Sequence, residues 1–170
     1  MSWDEVCETN CPTARALSAV GDRWTLLILR EMTMGVHRFD DIQAQTGMSS
    51  FLLSTRLKRL ESDGIVERRR NSEHPVRYEY HQTTMGKGFD RLLLALRAWG
   101  LKWGGFAPGE KPSTRLTHKR TGKVITPQWN PEPEDRPFTF DQVTTKLSPA
   151  FAAERGAKRE AFASKRSGKD

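Results

Sequence analysis

The chain has 170 residues, 36% apolar and 29% charged, with a net charge of +7 and a mean hydropathy of −0.68. That length suits one domain with an extension, or two small ones. No run approaches the roughly 20 apolar residues of a membrane span, and there is no Cys-x-x-Cys, Gly-rich phosphate loop, carboxylate pair or nucleophile elbow. Membrane proteins, enzymes and cofactor carriers are thereby disfavoured. The acidic opening Met1-Ser2-Trp3-Asp4-Glu5 is unlike a signal peptide, so a cytoplasmic protein is expected.

Cys7 and Cys11 lie four apart, and the four histidines (His37, His74, His81, His118) are scattered. A structural zinc site needs about four such ligands at short spacings, so no metal is expected. Residues 1–104 carry 15 Lys/Arg against 13 Asp/Glu, a net +2, whereas residues 105–170 carry 13 against 8, a net +5. Overall basicity admits nucleic acid as a partner, but a binding face has to be located residue by residue.

In chain order, Pro12 starts a first helix, its missing N–H costing nothing there. Gly21-Asp22 ends it and starts a second, with Trp24, Leu27, Ile28 and Met32 on one face and Gly35 as its stop. Phe39 to Gln45 forms a third, short helix. Thr46-Gly47-Met48-Ser49 is a tight turn closing with an N-cap serine. Ser50 to Ser62 is a fourth helix with Leu53, Leu57 and Leu60 on one stripe and Phe51, Ser54, Thr55, Lys58 and Arg59 opposite. Two short helices joined by a glycine turn, the second with a hydroxylic and basic outer face, meet the needs of a helix-turn-helix. Ile65 to Arg70 and Val76 to Tyr80 are strands around the polar turn Asn71 to Pro75. The tip of this wing carries Arg68, Arg69, Arg70 and Arg77, placed for phosphates or a minor groove. Thr84 to Trp103 is a long helix, apolar over so much of its circumference that a second subunit is its simplest cover.

From Cys11 to Gly100 the sequence resembles the HxlR family of bacterial regulators, winged-helix relatives of the MarR proteins. The resemblance rests on Cys11-Pro12, Gly21-Asp22-Arg23-Trp24, Leu26 to Arg30, Gly35, Arg38-Phe39 and Ile42. It continues through Ser49, Leu53, Leu57, Leu60, Asp63-Gly64-Ile65-Val66, Arg68, Pro75, Tyr78, Tyr80, Thr83 and Gly86. Gln82 departs from the apolar residue usual there. The resemblance implies a mainly α fold with a small β-hairpin: a winged helix-turn-helix, dimeric through its terminal helices, on double-stranded DNA with a pseudo-palindromic operator. It also implies that Cys11 senses oxidants or electrophiles, as the cysteine at this position does in several members. Leu116-Thr117-His118, Thr121-Gly122-Lys123 and Pro127 resemble the extension of longer members, but Thr121 stands where those have a cysteine.

The expected organisation is a DNA-binding and dimerisation domain over residues 1–104, then an extension over 105–147 with a hairpin within Leu116 to Trp129. Residues 148–170 are expected to form a short helix and a basic, disordered tail. Ser49, Ser50, Ser54 and Thr55 can exchange hydrogen bonds with base edges or phosphate, and Lys58 and Arg59 can neutralise phosphates or reach guanine. Phe51 either touches thymine methyls or folds into the core. Cys11 at a helix mouth is either a low-pKa sensing thiol, with Cys7 as a potential resolving partner, or a small packing residue. Trp99 and Trp103 either line an effector pocket or pack as core. A regulator answering to a small ligand without a thiol switch, and a winged-helix protein-interaction module, stay open as alternatives, as does repression against activation.

Overall fold

The computed structural model describes residues 10–73, 76–106, 110 and 112–167; Cys7, His74 and Pro75 lie outside them. The chain divides into two compact units, Met1–Gly86 and Lys87–Asp170.

The first unit holds helices α1 (Pro12–Val20), α2 (Arg23–Thr33), α3 (Phe39–Thr46) and α4 (Ser50–Ser62), then strands β1 (Val66–Glu73) and β2 (Val76–Gln82). Pro12 begins α1 and the Gly21 N–H closes it on Leu17 O at 2.7 Å. Asp22 then caps α2, accepting from Trp24 N and Thr25 N at 3.0 Å and from Thr25 Oγ1 at 2.6 Å, which satisfies donors that a helix start leaves open. The buried face of α2 is Thr25, Ile28, Leu29 and Met32, with Trp24 and Leu27 only half-buried. Gly47 ends α3 at φ 72°, a left-handed conformation that a Cβ would strain, and Met48 beyond it is buried. Leu53, Leu57 and Leu60 of α4 are buried, as are Ile28, Ile42 and Ile65. Truncating any of these leucines to alanine would cost about 2–5 kcal/mol.

β1 and β2 pair antiparallel from Val66↔Gln82 outward, and Arg38↔Glu79 adds a bridge to β2. β1 runs three residues beyond Arg70, because a bulge between Arg70 and Ser72 keeps the ladder going through Asn71. The long helix expected from Thr84 is instead split into α5 (Thr84–Lys87) and α6 (Asp90–Trp103). One local contact and one from another element fix the start of this segment. Thr83 Oγ1 accepts the Gly86 N–H at 3.1 Å, and a Cβ at Gly86 would lie 2.1 Å from Ile65 O. Gln82 serves here as a polar fastener, its Nε2 donating to Gly86 O at 3.2 Å.

The second unit packs α6 with β3 (Thr114–His118), β4 (Val143–Leu147) and α7 (Pro149–Ser167). β3 pairs antiparallel with β4, and Thr117 bridges Val124 across the expected turn at Thr121-Gly122. The ladder partner is therefore mostly β4, distant in sequence. Leu116, Ile125, Phe138 and Val143 form the core, with Leu94, Trp129 and Phe140 against it. Buried His118 faces Asp135 at 3.4 Å and meets the Thr121 hydroxyl at 3.0 Å through Nδ1. Arg120 binds Asp135 at 2.6 and 3.0 Å and holds that carboxyl below its usual pKa. The basic end is helical through Ser167, whereas disorder was expected. Lys158–Glu154 at i,i+4 supports that helix, with Arg155 stacked on Phe151.

Candidate nucleic-acid interface

Helix α4 presents two faces. Leu53, Leu57 and Leu60 are buried, while Ser50, Thr55, Lys58 and Arg59 are exposed, Ser54 is half-buried and Phe51 is 83% exposed. Phe51 therefore points outward and not into the core. Ser49 caps the helix, its Oγ accepting from Leu52 N at 3.2 Å. Thr55 Oγ1 donates to Phe51 O at 2.9 Å, leaving its lone pairs free to accept. Arg59 is tied back to the protein through Asp63 at 3.6 Å and Ser18 O at 3.5 Å. Lys58 meets no carboxylate among the described residues.

The wing arginines separate by strand alternation. Arg68 pairs with Tyr80 and stacks on the Tyr78 ring at 4.3 Å, so its stem lies along the hairpin. Arg69, on the other face, is ion-paired with Glu67. Arg70 pairs with Tyr78 and Arg77 with Ser72; both are exposed and meet no carboxylate among the described residues. The expectation that all four sit at the tip fails for Arg68 and Arg69. β1 extends to Glu73 and leaves them mid-strand. Among the described residues, Lys58, Arg70 and Arg77 are the cations of this face that meet no carboxylate. Sequence reasoning missed Asn71, which occupies the bulge and is hydrogen-bonded to Glu79; no residue signal announces a bulge there.

Cys11 is exposed and is the N-cap of α1. The nearby Ala14 and Thr13 backbone N–H groups lower its thiol pKa, as expected at a helix start. On α6, Trp99 and Trp103 are each 63% exposed, so neither is core within the chain. Leu92 and Leu96 continue the same exposed stripe.

A glycine-turned helix pair followed by a two-stranded wing defines a winged helix-turn-helix. The chain belongs to the HxlR-like helix-turn-helix family, whose model matches residues 19–107. It is 34% identical over 139 residues to Rv3095 of Mycobacterium tuberculosis, named an HTH-type transcriptional regulator, covering 82% of this chain and 87% of that one. With YvaP of Bacillus subtilis, also named an HTH-type transcriptional regulator, it is 37% identical over 95 residues, 55% of this chain and 88% of that. Among solved structures it is similar to PA1607, described as a transcription factor, at a TM-score of 0.65 and 29% identity, covering 85% of this chain and 99% of that one. It is also similar to the redox regulator HypR in its reduced form, at a TM-score of 0.52 and 26% identity, covering 56% of this chain and 95% of that one. The chain is thus a helix-turn-helix transcription regulator, not an enzyme, and no helix among the described residues is long and apolar enough to cross a membrane.

Proposed function

We propose that the protein is a cytoplasmic repressor that binds a pseudo-palindromic operator as a homodimer, with α4 in the major groove and the wing on the flanking backbone. The observation carrying this is the outward face of α4, where Phe51 and Lys58 stand exposed beside hydroxyl side chains. Ser50, Ser54, Thr55 and Phe51 read base edges and methyls, and Ser49 holds the helix start near a phosphate. Lys58, Arg70 and Arg77 neutralise phosphates, with Arg59, Arg68 and Arg69 as lesser contributors because protein groups already hold them. The stripe of Leu92, Leu96, Trp99 and Trp103 supports a dimer, since a second subunit would remove it from water.

Cys11 is the sensing residue of this scheme. Its thiolate adds to an electrophile such as a quinone, forming an S–C bond while the quinone oxygen takes up a proton. The exposure and lowered pKa of the thiol support that role, and HypR is a redox regulator of similar fold. The test is binding to duplex DNA flanking the protein's own gene, with and without a quinone, for wild type and Cys11→Ser. Specific binding abolished by quinone only in the wild type supports the switch. Binding indifferent to quinone in both removes it and keeps the regulator. A salt titration of the same duplex checks the cation roles, since Arg70→Ala should shallow the log–log slope by about one.

A further inference from the structure

The second unit contains a cleft of about 240 Å³ between α6 and the segment from Thr126 to Phe138. Its walls include Leu94, Pro127, Trp129 and Phe138, and its charged groups are Arg91 and Arg97. None of its eleven lining residues is acidic. We infer that this cleft binds a small monocyclic carboxylate, the ring against Trp129 and Leu94 and the carboxylate between Arg91 and Arg97.

The geometry favours this class for three reasons. The walls are preformed: Trp129 meets Phe138 edge-on at 5.5 Å, and Phe138 meets Phe140 at 5.4 Å. Such a surface offers a planar ring its best contact. The volume lies just under the roughly 300 Å³ at which drug-sized ligand sites begin, so a single ring suits it. Finally, Arg97 is anchored but not neutralised. Its Nη2 donates to Thr114 O at 2.7 Å and its Nε to Thr114 Oγ1 at 3.3 Å, so among the described residues both partners are neutral. Burial lowers the Arg97 pKa, the mark of a cation short of water and of counter-charge. Arg91 is exposed and meets no carboxylate among the described residues.

The two faces of α6 give the site a consequence. Arg91, Leu94, Ala95 and Ala98 line the cleft, while Leu92, Leu96, Trp99 and Trp103 form the exposed stripe. A ligand in the cleft therefore touches the helix whose other face is apolar and exposed among the described residues. The binding itself does not rest on the DNA-binding proposal.

Titration calorimetry of the full chain with benzoate and with its neutral isostere benzamide tests the inference, alongside the NMR indole signal of Trp129, assigned through Trp129→Phe. Benzoate should bind with one site per chain, and benzamide about tenfold more weakly or less. Arg91→Gln, at an exposed position, should weaken benzoate several-fold with folding unchanged. The Trp129 indole signal should move with benzoate. No saturable binding of benzoate up to about 10 mM, equal binding of benzamide, unchanged affinity in Arg91→Gln, or heat without movement of the Trp129 signal would each overturn it.

Discussion

The imidazole rings of His37 and His81 stack at the root of the wing, their centroids 4.1 Å apart and their planes 22° from parallel. His37 Nδ1 also lies 3.1 Å from Tyr80 O, and His81 Nε2 lies 3.1 Å from Glu79 Oε2. Burial first, and the neighbouring His81 second, hold His37 below the ordinary 6.5, against opposing pulls from Tyr80 O and Glu79, while Arg69 adds to the lowering. Below about pH 6.5 the unfolded chain binds a proton that the folded chain accepts only at lower pH, so stability falls as pH drops through that window. The melting temperature of the wild type should therefore fall between pH 7.5 and pH 5.5 by more than that of His37→Asn. Equal falls in both would remove His37 as the cause.

Gly86→Ala should destabilise the first unit by about 1–3 kcal/mol, because the new Cβ would meet a backbone oxygen, Ile65 O, at 2.1 Å. Urea unfolding of the variant measures it. A loss well below that range would mean that α5 can shift away from β1 without cost.

Most of the first unit was legible in the sequence because its signals are local. Pro12, Asp22, Gly47 and Ser49 each act within a few residues, and the leucine stripe of α4 has a single period. The split after Thr84 was not legible, since the apolar spacing continues across Gly86 and Gly88 while the cause, the approach of Ile65 O, comes from another element. The wing arginines were identified but misplaced, because a bulge at Asn71 leaves no mark in residue type. In the second unit, β3 pairs chiefly with a strand more than two dozen residues away, and the cleft beside α6 is lined by residues far apart in sequence. Only the wide apolar circumference of this helix indicated that more than one of its faces would be covered.

Asp22 is the residue that starts α2, so Asp22→Ala should cost about 1–2 kcal/mol through loss of its cap. Its ion pair with Arg56 at 3.6 Å is partly exposed and adds little. Asp22→Ser, which restores a capping oxygen without the charge, should recover most of the loss in thermal unfolding. If serine does no better than alanine, the charge and not the cap carries the effect.

In a Cys7→Ser chain, the rate of Cys11 alkylation by iodoacetamide should titrate with a lower midpoint when folded than in denaturant. The Ala14 and Thr13 N–H groups lie near the sulfur, and favour the thiolate, only when α1 is formed. Coincident midpoints would leave Cys11 an ordinary exposed thiol and remove the chemical basis of the switch.

The most direct test of the DNA-binding proposal is selection of duplexes from a random library by the wild type and by a Phe51→Ala/Lys58→Ala double variant. The wild type should enrich an inverted repeat whose half-sites lie about one helical turn, roughly 10 base pairs, or a multiple of it apart. The double variant, folded by circular dichroism, should lose that enrichment. Enrichment of the same repeat by both proteins would contradict the assignment of α4 as the reading helix, and no enrichment by the wild type would contradict sequence-specific DNA binding itself.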